Sequence, residues 1–184
     1  RRPVFREVAE DFIAARIRRD GEFLARYNPQ RDERAFAEAW HRFATDVGWR
    51  VQNYEPNYEG SPVIAGPPGG RSSAHGDHRF AARPGHHLAP QPLSTGKDVF
   101  DALGRDVALL AFGAAENDVV AFVQAARERR VPLTVVRDSF ADGRAAYEAR
   151  LVLVRPDQFV AWTGECAPDD PERLLAKVTG QDIG

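Results

Sequence analysis

Apolar residues in the second half of the chain fall into short runs and periodic stretches that predict alternating strands and helices. The run Val107–Phe112 predicts a buried strand, residues Asn117–Arg130 predict a helix, and Leu133–Val136 predicts a second strand. Two further apolar runs between Leu151 and Trp162 flank a Pro-Asp pair, which is the pattern of an antiparallel hairpin. Residues Pro171–Val178 then predict a final helix.

This succession of strand, helix, strand, hairpin and helix is the core order of a thioredoxin-like domain. We therefore predict an α/β fold for residues 94–184, with a central mixed sheet and flanking helices. Thioredoxin chemistry needs a thiolate at a helix N-terminus and a second thiol two residues further on. The matching helix entrance reads Phe-Gly-Ala-Ala-Glu-Asn over residues 112–117, and the single cysteine, Cys166, follows the hairpin. The prediction is a thioredoxin-like domain without redox cysteines.

The first half of the chain has a different character. Apolar positions recur at spacings of three and four from Phe5 to Leu24 and again from Arg31 to Phe43, which predicts a helical segment over residues 1–48. Because this periodicity starts without a capping residue, we expect the chain to be a piece of a longer polypeptide. Residues 49–93 are crowded with Gly, Pro, Ser, Asn and His and predict a long irregular linker. A short helix, Lys97–Leu103, opens the last domain.

Five aromatic side chains are candidates for contacts with another domain. Phe12, Trp40 and Phe43 lie on predicted helices that have no sheet of their own to cover, so their apolar faces need a partner. Tyr54 and Tyr58 could anchor the linker to a neighbouring surface. No paired carboxylates are spaced for acid–base work, and the sequence predicts no catalytic residue.

Composition gives no support for nucleic acid or a membrane as a partner. A formal net charge of -2 with both signs interspersed gives no argument for binding nucleic acid or an anionic membrane. One cysteine excludes a disulfide framework, and the longest apolar runs are far short of a bilayer span. We expect a cytoplasmic protein with a soluble partner or none.

Two motifs resemble ligand-binding sites, one for phosphate and one for a metal ion. The glycine-rich stretch Val63–Gly70 lacks the dinucleotide spacing, and its prolines remove backbone donors that a phosphate would need. Histidines 75, 78, 86 and 87 share one loop with Asp77, and these are ligand types that zinc or nickel would accept. Because ordering an irregular loop around a metal is costly, we predict solvated histidines and no metal site.

Several segments resemble a known family. Residues 1–4, Arg-Arg-Pro-Val, resemble the end of the helix that closes the flavin domain of class A flavoprotein monooxygenases, the FAD-dependent aromatic-ring hydroxylases related to para-hydroxybenzoate and phenol hydroxylases. The remaining likenesses are to that family's connecting segment and thioredoxin-like C-terminal domain, at Tyr54–Pro62, Arg83–Gly85, Leu88–Pro90, Phe100–Gly104, Pro132–Val136 and Val154–Trp162.

The resemblance implies a parent protein that hydroxylates an aromatic substrate with FAD, NAD(P)H and oxygen. It implies that flavin and substrate are held by N-terminal domains, so that this chain carries no catalytic, cofactor-binding or metal-binding residue. Its partners would then be those flavin and substrate domains, or a second subunit in a homodimer. The alternatives are a stand-alone thioredoxin-like reductase or peroxidase using Cys166, and a free-standing interaction module with a histidine-rich metal loop.

Overall fold

The computed structural model describes Glu38, residues 54–140 and residues 144–182. The chain divides into two compact units, one of Arg1–Pro56 with Ser73–His78 and the other of Asn57–Ser72 with Arg79–Gly184. Strand β1 (Tyr54–Asn57) pairs with β2 (Ser73–His75) in a two-stranded sheet, and Tyr54–Pro56 and β2 belong to the first unit.

The second unit contains a four-stranded mixed sheet with the order β4-β3-β5-β6. Strand β3 is parallel to β4 and antiparallel to β5, and β5 is antiparallel to β6. Its elements are α1 (Val99–Leu103), β3 (Val107–Phe112), α2 (Glu116–Arg129), β4 (Leu133–Asp138), a 3-10 helix (Arg144–Tyr147), β5 (Leu151–Val154), β6 (Val160–Gly164) and α3 (Pro171–Thr179). None of the helices among the described residues has the length and apolar character that crossing a bilayer requires.

The sheet separates two apolar clusters. All six residues of β3 and all four of β5 are buried, because both faces of these central strands are covered. On one face Leu109 and Leu153 pack with Phe122 of α2 and Leu175 of α3. On the other face the cluster consists of Leu88, Leu93, Val99, Leu103, Ala108, Leu110, Phe112, Val136, Tyr147, Ala149, Val152, Val154 and Val160.

Helix ends follow the capping chemistry of their sequences. The Asp98 side chain accepts a hydrogen bond from the Phe100 N–H at 2.9 Å and starts α1. At α3, Asp170 accepts from the Arg173 N–H at 2.8 Å, and Pro171 occupies the first turn, where its missing N–H costs nothing. Glycine 180 ends α3 in the left-handed conformation, with φ of 76°.

The hairpin between β5 and β6 turns over Pro156, Asp157 and Gln158. The Arg155 N–H donates to the Phe159 carbonyl at 2.9 Å, and the Gln158 N–H donates to the Arg155 carbonyl at 2.9 Å. Gln158 has φ of 66°, which fits the left-handed residue that closes a three-residue hairpin loop. The predicted hairpin is confirmed, with a register shift beside Val154.

Residues 82–93 cover the face of the sheet that lies opposite α2 and α3. Leu88 and Leu93 belong to the second apolar cluster, and the Ala82 N–H donates to the Tyr147 carbonyl at 2.9 Å. The buried Tyr147 hydroxyl donates to the Ala89 carbonyl at 2.6 Å. The fold therefore has three layers. Helices α2 and α3 form the first, the sheet forms the second, and this extended segment forms the third together with α1 and the 3-10 helix.

Replacing Tyr147 with phenylalanine should lower the free energy of unfolding by about 1–2 kcal/mol, because the Ala89 carbonyl loses its hydroxyl donor in a poorly hydrated site. Urea unfolding of the wild type and of the Tyr147→Phe variant at neutral pH measures this loss. An unchanged midpoint would show that water replaces the hydroxyl at no cost.

The same pair of proteins should differ in alkali. Burial, with a smaller contribution from the Asp98 carboxylate, raises the pKa of Tyr147 in the folded state. Above pH ~10 the unfolded chain loses this phenolic proton while the folded chain keeps it. The contribution of Tyr147 to stability is therefore complete below that pH and lost as pH rises, so the wild type should lose more stability than the phenylalanine variant between about pH 10 and 11.

The predicted elements of the last domain agree with the structure to within a few residues at their ends. The α/β fold with a central mixed sheet and flanking helices is confirmed. Within the predicted irregular linker of residues 49–93 the structure adds the short strands β1 and β2, which are too short to show a period in sequence. The predicted helices over residues 1–48 lie outside the described residues except for Glu38, which is helical, and the proposed domain limits stay a prediction.

Candidate functional site

The entrance of α2 is the position where a thioredoxin carries its nucleophile. Ala115 precedes the helix and makes no side-chain capping bond, and Gly113 turns the chain with φ of 59°. The Gly113 N–H donates to the Asp138 carbonyl at 2.7 Å, and the Gly113 carbonyl accepts from Arg150 Nη1 at 2.9 Å. No thiol or hydroxyl side chain lies in residues 113–117, so this turn offers no nucleophile. Its hydrogen bonds join the end of β3 to β4 and to Arg150.

Cys166 lies in the exposed loop that follows β6. The next residue, Ala167, donates its N–H to Asp118 Oδ1 at 2.9 Å and so ties the loop to the first turn of α2. The helix turn near this loop carries two acids, Glu116 and Asp118. A chain with one cysteine cannot form the internal disulfide on which thioredoxin chemistry depends.

Two extended segments close the outer edge of the sheet at β6. The Ala65 N–H donates to the Ala161 carbonyl, and the Gly85 N–H to the Val160 carbonyl, each at 2.8 Å. The Val160 N–H in turn donates to the His86 carbonyl at 2.9 Å. An open strand edge would be a template for pairing with other chains, and these segments cover it.

Tyr58 belongs to this edge covering. Its ring meets the Phe159 ring edge-on with centroids 4.9 Å apart, and its N–H donates to the Gly85 carbonyl at 2.7 Å. The half-buried side chain packs on the cluster that contains Phe122. Tyr58 thus anchors the segment that was predicted to be a linker; a contact with another domain stays a prediction.

Of the other four predicted interface residues, the structure describes one. Tyr54 lies in β1 of the first unit, with 38% of its surface exposed. Phe12, Trp40 and Phe43 lie outside the described residues. The predicted interface of these five residues therefore stays a prediction.

The histidines have different environments. Buried His86 lies with its Nε2 2.8 Å from Glu59 Oε1, and this hydrogen bond joins the two segments that cover β6. His87 packs its ring near Phe100 and Phe159. Among the described residues, no three His, Cys, Asp or Glu side chains are grouped so that they could hold a metal ion.

Two sets of side-chain hydrogen bonds could not be predicted from the sequence. The Glu59–His86 pair spans 27 positions, and no local signal marks such a contact. Arg155 uses Nη1 to donate to the Val178 carbonyl at 2.9 Å while its other nitrogens lie 3.3 Å from the Asp157 carboxylate. The Arg-Pro-Asp sequence predicts the turn. Only the structure shows that Arg155 also binds the last turn of α3.

The sequence model of the C-terminal domain of aromatic-ring hydroxylases matches residues 81–181 of this chain. The chain belongs to the aromatic-ring hydroxylase C-terminal family. The matched range starts within the segment that covers the sheet and ends just after α3, so this family domain includes the third layer of the fold.

Curated relatives of this hydroxylase C-terminal domain are monooxygenases. A 4-methyl-5-nitrocatechol 5-monooxygenase from Burkholderia sp. is 34% identical, over 50% of this chain and 20% of its own length. The FAD-dependent monooxygenase apdD from Emericella nidulans is 32% identical, over 54% of this chain and 17% of its own length. The chain thus spans about a fifth of the curated relatives that it matches.

Solved structures give the same picture for the hydroxylase C-terminal domain. RebC-10x, in its native and K252c-bound structure, is 31% identical and superimposes with a TM-score of 0.76, covering 97% of this chain and 35% of RebC-10x. The rebeccamycin biosynthetic enzyme RebC with reduced flavin is also 31% identical, with a TM-score of 0.74. The chain therefore matches the C-terminal region of FAD-dependent monooxygenases and covers only part of them.

The α2 entrance of this hydroxylase C-terminal domain does not fit the pyrophosphate of FAD. Parallel β3 and β4 with the intervening α2 form the kind of unit that binds dinucleotides, where glycines admit the pyrophosphate to the helix N-terminus. Here the turn has one glycine, Gly113, and both its N–H and its carbonyl are already bonded. Glu116, which pairs with Arg137 at 2.7 Å, and Asp118 place carboxylates in the first helical turn, where they compete with a pyrophosphate for the helix N-terminus.

Proposed function

We propose that this chain is the docking region of an FAD-dependent aromatic hydroxylase that uses NAD(P)H and oxygen. In this proposal the chain packs on the flavin and substrate domains of its parent protein and supplies no reacting group. The parent's substrate is an aromatic compound whose pocket lies in the preceding domains. A second copy of the parent is a further partner in this proposal.

The observation that carries the proposal is the match to hydroxylase C-terminal domains together with the chemistry of the α2 entrance. The family match and the FAD-dependent relative apdD support a parent protein that uses FAD. The helix entrance supplies neither a nucleophile nor a place for a pyrophosphate, since Gly113 is bonded and Glu116 and Asp118 are acidic. A domain without these groups contributes to the enzyme through its surfaces.

Flavin content and activity test the chemical half of the proposal. The full-length parent should purify with FAD, whereas the isolated chain should bind none in an FAD titration followed by flavin fluorescence. A Cys166→Ser variant of the full-length protein should hydroxylate at a rate within about twofold of the wild type. Flavin binding by the isolated chain, or a loss of activity on removing Cys166, would contradict the proposal.

Hydrogen exchange tests the docking half. Amide exchange is measured on the isolated chain and on the same residues within the full-length parent. Docking predicts a contiguous surface patch, including the exposed Tyr54 region, whose exchange slows in the parent. Equal exchange rates in the two proteins would show an independent module and would overturn the docking role.

A further inference from the structure

A half-open groove lies between the end of α2 and the start of β4. Its volume is about 340 Å³, within the range of small-molecule sites. Its apolar walls are formed by Val123 and Ala126 of α2 and by Val131 and Leu133 on the way into β4. This groove is separate from the α2 entrance, which lies at the other end of the helix.

Two arginines, Arg127 and Arg130, complete the lining of the groove, and no acidic side chain lines it among the described residues. Both arginines are exposed and form no ion pair with another described side chain. Neighbouring Arg129, by contrast, lies 3.3 Å from the Glu172 carboxylate. The groove therefore combines apolar walls with two positive charges that no described acid neutralises.

Arg130 occupies a backbone position that favours glycine. It follows α2 with φ of 53°, and its N–H closes the helix by donating to the Arg127 carbonyl at 3.1 Å. Helix α3 ends in the same conformation at Gly180, where no side chain is strained. The chain thus places a guanidinium at the groove where a glycine would be the more stable helix end.

Apolar surface continues from the groove along one face of α2. Val120, Val123 and Arg127 follow at helical spacings of three and four, so they lie on one side of the helix. Val120 keeps 39% of its surface exposed. An occupant of the groove can therefore rest an apolar body on this valine stripe while an anionic end meets the arginines.

We propose that this groove binds a small carboxylate with an apolar body of one or two rings. The volume accommodates such a body, the valines and Leu133 contact it, and the guanidiniums of Arg127 and Arg130 pair with its carboxylate. The site goes beyond the docking role, and its residues take no part in the edge covering of β6.

Titration of the ¹⁵N-labelled chain with 2-naphthoate tests the site. Amide resonances of Val123, Ala126, Val131 and Leu133 should shift together in a saturable manner. Neutral 2-naphthylmethanol, which keeps the rings, and acetate, which keeps the charge, should each bind at least about tenfold more weakly. Equal binding of the neutral compound, or shifts scattered away from the groove, would overturn the proposal.

Three variants separate binding from folding. Arg127→Gln and Arg130→Gly should each weaken 2-naphthoate binding about tenfold, because each removes one charged hydrogen-bonding partner. Arg130→Gly should keep or raise the midpoint of urea unfolding, since glycine relaxes the left-handed position. Arg129→Gln, which removes a charge from the same turn but outside the groove, should bind within about twofold of the wild type. Unchanged affinity in both groove variants would contradict the assignment.

Discussion

Replacing Phe122 with alanine is expected to lower the free energy of unfolding by about 3–5 kcal/mol, the usual cost of emptying a core phenylalanine site. Phe122 lies on α2 with none of its surface exposed. Its ring centroid is 5.5 Å from that of Trp162 on β6, and the same cluster contains Leu153 and Leu175. The substitution removes the side chain that joins α2, α3 and the sheet, and a rigid strand layer cannot collapse into the space.

Urea unfolding followed by circular dichroism measures the loss, with Phe80→Ala as the matched control. Phe80 has 59% of its surface exposed, so its truncation should change stability by less than about 0.5 kcal/mol. Similar losses in the two variants would show that Phe122 does not hold the core that the structure assigns to it. A small loss at Phe122 alone would show that the site repacks.

Replacing Gly85 with alanine should cost about 3 kcal/mol through two separate effects. Gly85 has φ of 92°, a conformation that an alanine adopts only with strain. A Cβ at this position would lie 2.6 Å from the Glu59 backbone nitrogen and 2.7 Å from its Cα. Because these atoms belong to the backbone, the two segments that cover β6 would have to separate.

Gly69→Ala isolates the backbone effect. Gly69 has a similar φ of 86°, and a Cβ there would meet nothing within 4 Å. Its replacement should therefore cost only about 1 kcal/mol, the strain of the left-handed conformation. If both alanine variants unfold at the same urea concentration, close packing between residues 59 and 85 does not contribute to stability.

In this chain, segments that precede the predicted last domain pack on its sheet. Residues 82–93 cover one face of the sheet, and Tyr58, Glu59 and His86 help to close its edge. The β6 edge and one face of the sheet are thus occupied by these segments, while α2 and α3 cover the other face.

Much of the last domain followed from local pattern. The apolar run of β3 is continuous because both faces of that strand are buried, and the Arg-Pro-Asp turn marks the hairpin by its own chemistry. The absence of a thiol at the α2 entrance needed only the order of elements and the position of Cys166. The packing of residues 57–66 and 82–93 on this sheet was not predicted, because extended segments without periodicity leave no sign of where they pack.

Local sequence was enough for the strand and helix order, the α/β class and the lack of a cysteine pair at the α2 entrance, since these depend on neighbouring residues and on which side chains exist. Tertiary structure alone decided that His86 meets Glu59, that Tyr147 holds Ala89, and that two arginines border an apolar groove. Each of these depends on distances between segments far apart in the chain, and such distances are set by how the layers pack, which no local pattern of hydrophobic and polar residues encodes.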